Sequence, residues 1–192
     1  MSVKIEERTH EEIALADPDI KWKLHRGELR EKPPVSREHS SVITELCFQL
    51  RGQLDPGRFR VFVDSGRLRR LTENVYIPDI SVVPTEYGRP LRGRPGTLAI
   101  FDPPVVLVVE VWSRSTGVYD VDSKIPEYQS RGDAEIWRLH PYDRTLRAYR
   151  RQPDGRYIET VYTGGVVPVD SLPGVNVDLD VLFANVAKDD EG

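Results

Sequence analysis

Apolar residues recur along this chain in two periods. Val42, Ile43, Leu46, Cys47 and Leu50 fall on one stripe at helical spacing, and Ser36 ahead of them can cap the helix they predict. From Phe59 the pattern becomes strand-like. Phe59–Val63, Val75–Val83 and Val105–Trp112 are short β-branched runs, and a loop rich in Pro, Gly and Arg, Thr85 to Gly96, separates the last two. Asp122 to Arg131 reads as a second helix, with Asp122 as N-cap because Pro126 fits only a first turn. Strands at Glu135–Leu139, Thr145–Arg150 and Arg156–Thr163 follow, the last two joined by the turn Pro153-Asp154-Gly155, and Asp178–Val186 reads as a closing helix. Upstream, Thr9-His10-Glu11-Glu12 has capping-box spacing and starts a short helix that ends before Pro18. Ile20–Leu24 and Glu28–Glu31 flank Arg26-Gly27 as a hairpin. This order predicts an α/β (α+β) fold, a central sheet flanked by the two main helices.

Composition narrows the class. The chain has 192 residues, 39% hydrophobic and 30% charged, which is one domain's worth of ordinary globular protein. We expect a single domain over 1–192, with 1–19 as an N-terminal helical extension and 187–192 as an acidic, disordered tail. No apolar run approaches the ~20 residues of a membrane helix and the N-terminus lacks a signal-peptide core, so a cytoplasmic protein with no membrane partner is expected. The single cysteine, Cys47, excludes an intramolecular disulfide and a thiolate metal cluster, and reads as a small core residue. The net charge of −4 argues against a generally basic surface. Arginines nevertheless concentrate in the middle of the chain, at Arg58, Arg60, Arg67, Arg69, Arg70, Arg89, Arg92 and Arg94, where they can bind phosphates locally or simply cover solvated strand faces.

Two acids interrupt the apolar pattern. Asp79 follows Pro78 beside the run Ile80-Ser81-Val82-Val83, and Glu110 lies within Val105–Trp112. An unpaired charge buried in such a run costs several kcal/mol, so a pair of them points to a metal site. Taken alone, Asp79 is a turn or strand-start residue, Glu110 the buried partner of an arginine and Lys124 a surface lysine. Lys124 sits near the start of the second predicted helix, where a cation opposes the macrodipole. Other chemistries lack their signatures. Ser113 and Ser115 have no nucleophile elbow, no phosphate-binding or dinucleotide Gly-rich turn occurs, and His10, His25, His39 and His140 show no zinc spacing.

The ordered set Gly27-Glu28, His39, Pro78-Asp79, Glu110-Val111 with Ser113, Asp120/Lys124/Tyr128, Gly132 with Glu135 and Trp137, and Leu172-Pro173-Gly174 resembles the Uma-type restriction endonuclease family, a branch of the PD-(D/E)XK nuclease superfamily common in bacteria. The resemblance runs from about Ile20 onward. It implies a restriction endonuclease-like mixed central β-sheet with an N-terminal hairpin, and a Mg²⁺-dependent deoxyribonuclease, with Mn²⁺ as substitute. Asp79 and Glu110 would be the metal ligands, since Mg²⁺ prefers one or two carboxylates plus waters. By analogy the Val111 carbonyl would complete the shell, and Lys124 would orient the attacking water and stabilise developing charge.

In the superfamily's basic pattern the lysine lies two residues beyond the second acid, where this chain has Trp112, and Lys124 is nominated because this branch moves the lysine onto the following helix. Asp120 could pair with Lys124 or hold a second metal, Glu45 could face the site from the first helix, and His39 and Glu28 could support it. Tyr128, Glu135 and Trp137 read as support and core. The alternative is a nuclease-fold protein without catalysis, serving as a nucleic-acid-binding or protein-interaction module. DNA is the expected partner, and a homodimer is conjectured from the way duplex-cutting enzymes address two strands.

Overall fold

The structure is a computed structural model and describes residues 7–71, 73–94, 96–113 and 117–186. Its elements are α1 (Glu7–Ala16), β1 (Trp22–His25), β2 (Glu28–Glu31), α2 (Arg37–Gln53), β3 (Phe59–Val63), β4 (Arg67–Arg70), β5 (Asn74–Tyr76), β6 (Ile80–Pro84), a 3-10 helix at Thr85–Leu91, β7 (Ile100–Phe101), β8 (Leu107–Val111), α3 (Gly117–Arg131), β9 (Glu135–His140), β10 (Thr145–Arg151), β11 (Tyr157–Tyr162), β12 (Val166–Pro168), β13 (Asn176–Asp178) and α4 (Leu179–Leu182). The main sheet has six strands in the order β11-β10-β9-β8-β6-β3, and a second sheet has five in the order β2-β1-β5-β4-β7. Within the main sheet only β8 and β9 run parallel, joined by the α3 crossover, so the sheet is mixed.

Strand alternation sorts the core into two layers. Ile80 and Val82 of β6 and Leu107, Val109 and Val111 of β8 point to one face, against Val42, Ile43, Leu46 and Leu50 of α2. Val83 and Val108 point to the other, against Ile125 and Tyr128 of α3 and Leu68 and Tyr76 of the second sheet. The predicted α2 stripe is therefore the buried one, and Ser36 caps the helix as expected, its Oγ accepting from the His39 N–H at 3.2 Å. The predicted hairpin also forms, with Arg26 and Gly27 both at positive φ (53° and 79°), as a two-residue primed turn demands.

Several boundaries differ from the sequence reading. The run Val75–Val83 is two strands, not one. Pro78 has no N–H to donate, so the ladder breaks at Ile77-Pro78-Asp79 and the chain passes from the second sheet (β5) into the main sheet (β6). The second helix begins at Gly117 rather than at Asp122, which places Asp122 and Pro126 in its interior and removes Asp122 as N-cap. Thr9 likewise lies inside α1 and does not cap it, the closing helix shrinks to Leu179–Leu182 capped by Asp178, and the Thr85–Gly96 loop holds the 3-10 helix. The tail expected at 187–192 lies outside the described residues.

The C-terminus of α3 is anchored by a buried ion pair. Gly132 (φ 84°) ends the helix in the left-handed conformation, and the Asp133 N–H returns to Tyr128 O at 3.3 Å. Asp133 then accepts from the Val105 N–H (2.8 Å) and from Arg131 Nε (3.1 Å), while the same guanidinium donates to the carbonyls of Pro103, Phe101 and Arg69. Both side chains are buried, so this network sets where β8 enters the sheet. Asp133→Ala should lower the unfolding free energy by about 3 kcal/mol, the loss expected when one partner of a buried pair is removed. Urea unfolding measures it, and a loss below about 1 kcal/mol would show that the loop from Phe101 to Val105 is held by other contacts.

Candidate active site

Glu110 is the penultimate residue of β8 and points to the α3 face. Lys124 and Tyr128 stand four residues apart on α3, hence on one side of that helix, and both reach Glu110. Lys124 Nζ lies 3.0 Å from Oε2 and the Tyr128 hydroxyl donates to Oε1 at 2.6 Å. All three side chains are buried. Burial pushes the Glu110 carboxyl above its ordinary value, the Lys124 ammonium opposes the rise, and the neighbouring Asp79 charge adds to it. Burial and the Glu110 charge also raise the Tyr128 phenol well above its usual range, so it stays a donor.

Asp79 sits at the proline-induced break before β6. It is also buried, and its partners come from three further segments. Val111 donates its N–H to Oδ2 at 2.7 Å, His39 Nε2 lies 3.1 Å from the same oxygen, and Lys32 Nζ lies 2.6 Å from Oδ1. A carboxylate only accepts, so His39 carries its proton on Nε2. Burial works to raise the Asp79 carboxyl, but the Lys32 ammonium and the His39 hydrogen bond outweigh it and hold Asp79 well below the usual carboxylate range. Lys32 is itself held by Asp64, which leaves β3 with a positive φ of 51°. Burial opposes the Lys32 ammonium, yet the Asp79 and Asp64 charges raise its pKa.

The structure thus brings Asp79, Glu110, Lys124, His39 and Tyr128 together and adds Lys32 and Asp64, which the sequence reading did not nominate. Lys32 precedes Pro33-Pro34 in a polar stretch. Its one sequence signal is that paired prolines fix the path of the chain just beyond it. Glu45 does not face the site, since its Oε1 accepts from Gln49, whose side chain bonds the backbone of Asp178. Glu28 is exposed and pairs with Arg30. The Asp120 side chain lies outside the described residues. Trp112 stacks on His140 at 4.4 Å with Tyr142 edge-on, so the position of the superfamily lysine carries an aromatic cluster. Glu135 and Trp137 are architectural. Glu135 is buried and accepts from Trp137 Nε1 (2.7 Å), Arg150 Nε (3.2 Å) and the Ser171 N–H (2.9 Å).

The donors suit a hard cation. Each carboxylate offers about four lone-pair positions. Asp79 has one left, on Oδ1, after Lys32, His39 and Val111 have taken theirs, and Glu110 has one left on each oxygen. Among the described residues no group of three His, Cys, Asp or Glu could hold an ion by itself. Mg²⁺ needs no such cage, since it keeps waters and takes substrate phosphate oxygens beside one or two carboxylates.

The mixed sheet with helices on both faces fits a restriction endonuclease-like fold, with Asp79 and Glu110 where β6 meets β8 and Lys124 reaching Glu110 from α3. The family model described as "Putative restriction endonuclease", Uma2, matches residues 8–181, and the chain belongs to that family. Among solved structures, the chain is similar to one titled as a putative nuclease belonging to DUF820 from Anabaena variabilis ATCC 29413, with a TM-score of 0.69 and 22% identity over 85% of this chain and 89% of that one, a likeness of fold. No curated protein matches.

The two acids titrate in opposite directions. Asp79, depressed on folding, contributes stability that is fully present above its unfolded pKa near 4 and is lost as the pH falls through its folded value. The stability difference between the wild type and Asp79→Asn should therefore be full at pH 7 and shrink as the pH falls below about 4. Chemical unfolding across that range tests this, and a difference unchanged in acid would contradict the Asp79–Lys32 pairing.

Proposed function

We propose that the protein is a metal-dependent deoxyribonuclease that hydrolyses phosphodiester bonds at Asp79, Glu110 and Lys124. The observation that carries this reading is the pair of buried acids at adjacent strand ends, each held by its own buried lysine yet retaining unused acceptor positions. Membership of a restriction endonuclease family and the nuclease fold of a solved relative support it. No helix among the described residues is long and apolar enough to cross a membrane.

In this reading Asp79 through Oδ1, Glu110 and the Val111 carbonyl would hold Mg²⁺ or Mn²⁺, whose chemistry is Lewis-acid stabilisation of the charge that builds on phosphate oxygens. The chain's own groups do the rest. His39 and the Val111 N–H fix the Asp79 carboxylate so that its remaining lone pair points one way. Tyr128 does the same for Glu110. Lys124, anchored on Glu110, orients the attacking water and stabilises negative charge as the water oxygen bonds to phosphorus and the leaving oxygen departs. A cleft of about 70 Å³ opens beside Lys124, lined by Lys23, Arg26 and Arg30 of the hairpin with Glu127 of α3 as its one acid, a predominantly cationic approach suited to a phosphate backbone.

Supercoiled plasmid with Mg²⁺ or Mn²⁺ tests the reading, because nicking requires no knowledge of a recognition sequence. Lys124→Ala should cut nicking by about 100-fold or more, roughly 3 kcal/mol of transition-state stabilisation, while leaving the metal-induced rise in melting temperature intact. Asp79→Asn and Glu110→Gln should lose both. Salt-dependent DNA binding without nicking of any DNA or RNA substrate would instead favour a non-catalytic binding module.

A further inference from the structure

Lys32 Nζ is surrounded by oxygens. Asp79 Oδ1 lies at 2.6 Å, the Ile77 carbonyl at 3.5 Å, and Asp64 Oδ1 closes the shell in direct contact. The lysine side chain is only 7% exposed. Three N–H donors therefore face two carboxylates and one carbonyl, the set of hard oxygens that Mg²⁺ or Ca²⁺ takes from a protein.

Local structure builds this shell on purpose-shaped segments. The Lys32 N–H bonds Lys21 O at 2.9 Å as the chain leaves β2, and Pro33-Pro34 then steer it away toward α2. Asp64 turns out of β3 in the left-handed conformation, its N–H on Asp79 O at 3.0 Å, and its second carboxylate oxygen meets Lys21 at 3.2 Å. The Ile77 carbonyl belongs to the break between β5 and β6 that Pro78 creates.

We propose that Lys32 is a positioning residue whose ammonium occupies the place of a second cation between Asp64 and Asp79, so that the site takes one metal ion rather than two. This rests on the reading of Asp79 and Glu110 as ligands of that one ion. Asp79 would then be shared between the lysine and the exchangeable ion, and Asp64 serves as counter-ion to the lysine instead of as a metal ligand.

The test counts Mn²⁺ bound to the full chain, with free Mn²⁺ read from its electron paramagnetic resonance signal during titration. Wild type and Lys32→Arg should bind one ion per chain, and Glu110→Gln should bind less tightly. Lys32→Ala should bind two, a doubling that a merely structural lysine would not produce, and Lys32→Ala/Asp64→Asn should return to one. If Lys32→Ala unfolds without metal, recovery of its circular dichroism with two Mn²⁺ bound is the same result. Two ions on wild type, a folded Lys32→Ala that still binds one, or a Lys32→Ala that stays unfolded throughout the titration each overturns the proposal. One ion on wild type that Glu110→Gln loses keeps the ligand reading whichever way Lys32→Ala falls. No ion on wild type defeats that reading and the Lys32 proposal together.

Discussion

Two buried carboxylates at the junction of β6 and β8 impose a demand that the rest of the molecule is arranged to meet. Asp79 and Glu110 are each only 2% exposed, and an isolated charge there would cost several kcal/mol. Their counter-charges come from far along the chain. Lys32 arrives from the exit of the hairpin, 47 residues before Asp79, and Lys124 from α3, 14 residues after Glu110. The charge pairing therefore fixes the hairpin, the first turn of α2 and α3 around one point, and couples the two sheets where Pro78 lets the chain cross between them. The groups that make burial tolerable also fix the orientation of the acceptor positions that both carboxylates retain.

The candidate site was legible in proportion to how much each residue broke a local rule. Glu110 stood out as a charge within an apolar run. Asp79 was marked by Pro78, and Lys124 only by its place in an ordered pattern. His39 could be weighed as support only through the same ordered pattern, since a histidine at a helix start is by itself commonly exposed. Lys32 and Asp64 broke nothing: a lysine before two prolines and an aspartate after a strand read as solvated loop, and only tertiary packing buries the lysine between two acids. The same physics limited the fold reading. α2 and the hairpin are set by local signals, a capping serine and a primed turn. The start of α3 and the two-sheet arrangement are not, since Pro126 reads locally as a first-turn proline and only assembly shows that the helix begins earlier.

The family pattern divides into a converging cluster and an architectural set once its residues are placed. Asp79, Glu110, Lys124, Tyr128 and His39 converge, whereas Gly132, Glu135 and Trp137 hold the return from α3 into β9 and pin β9 to β10 and to the loop at Ser171. At 22% identity the solved structure of the same fold shares the frame. The site in this chain is a double pairing, one lysine for each acid, with Trp112, His140 and Tyr142 clustered just beyond β8.

A crystal grown or soaked with Mn²⁺, with the ion located by its anomalous scattering, tests the central claim most directly. The account predicts a single strong peak about 2.1 Å from Asp79 Oδ1 and from a Glu110 oxygen, with Lys32 still lodged between Asp64 and Asp79. A peak remote from both acids, or an ion seated between Asp64 and Asp79 with Lys32 displaced into solvent, would contradict it.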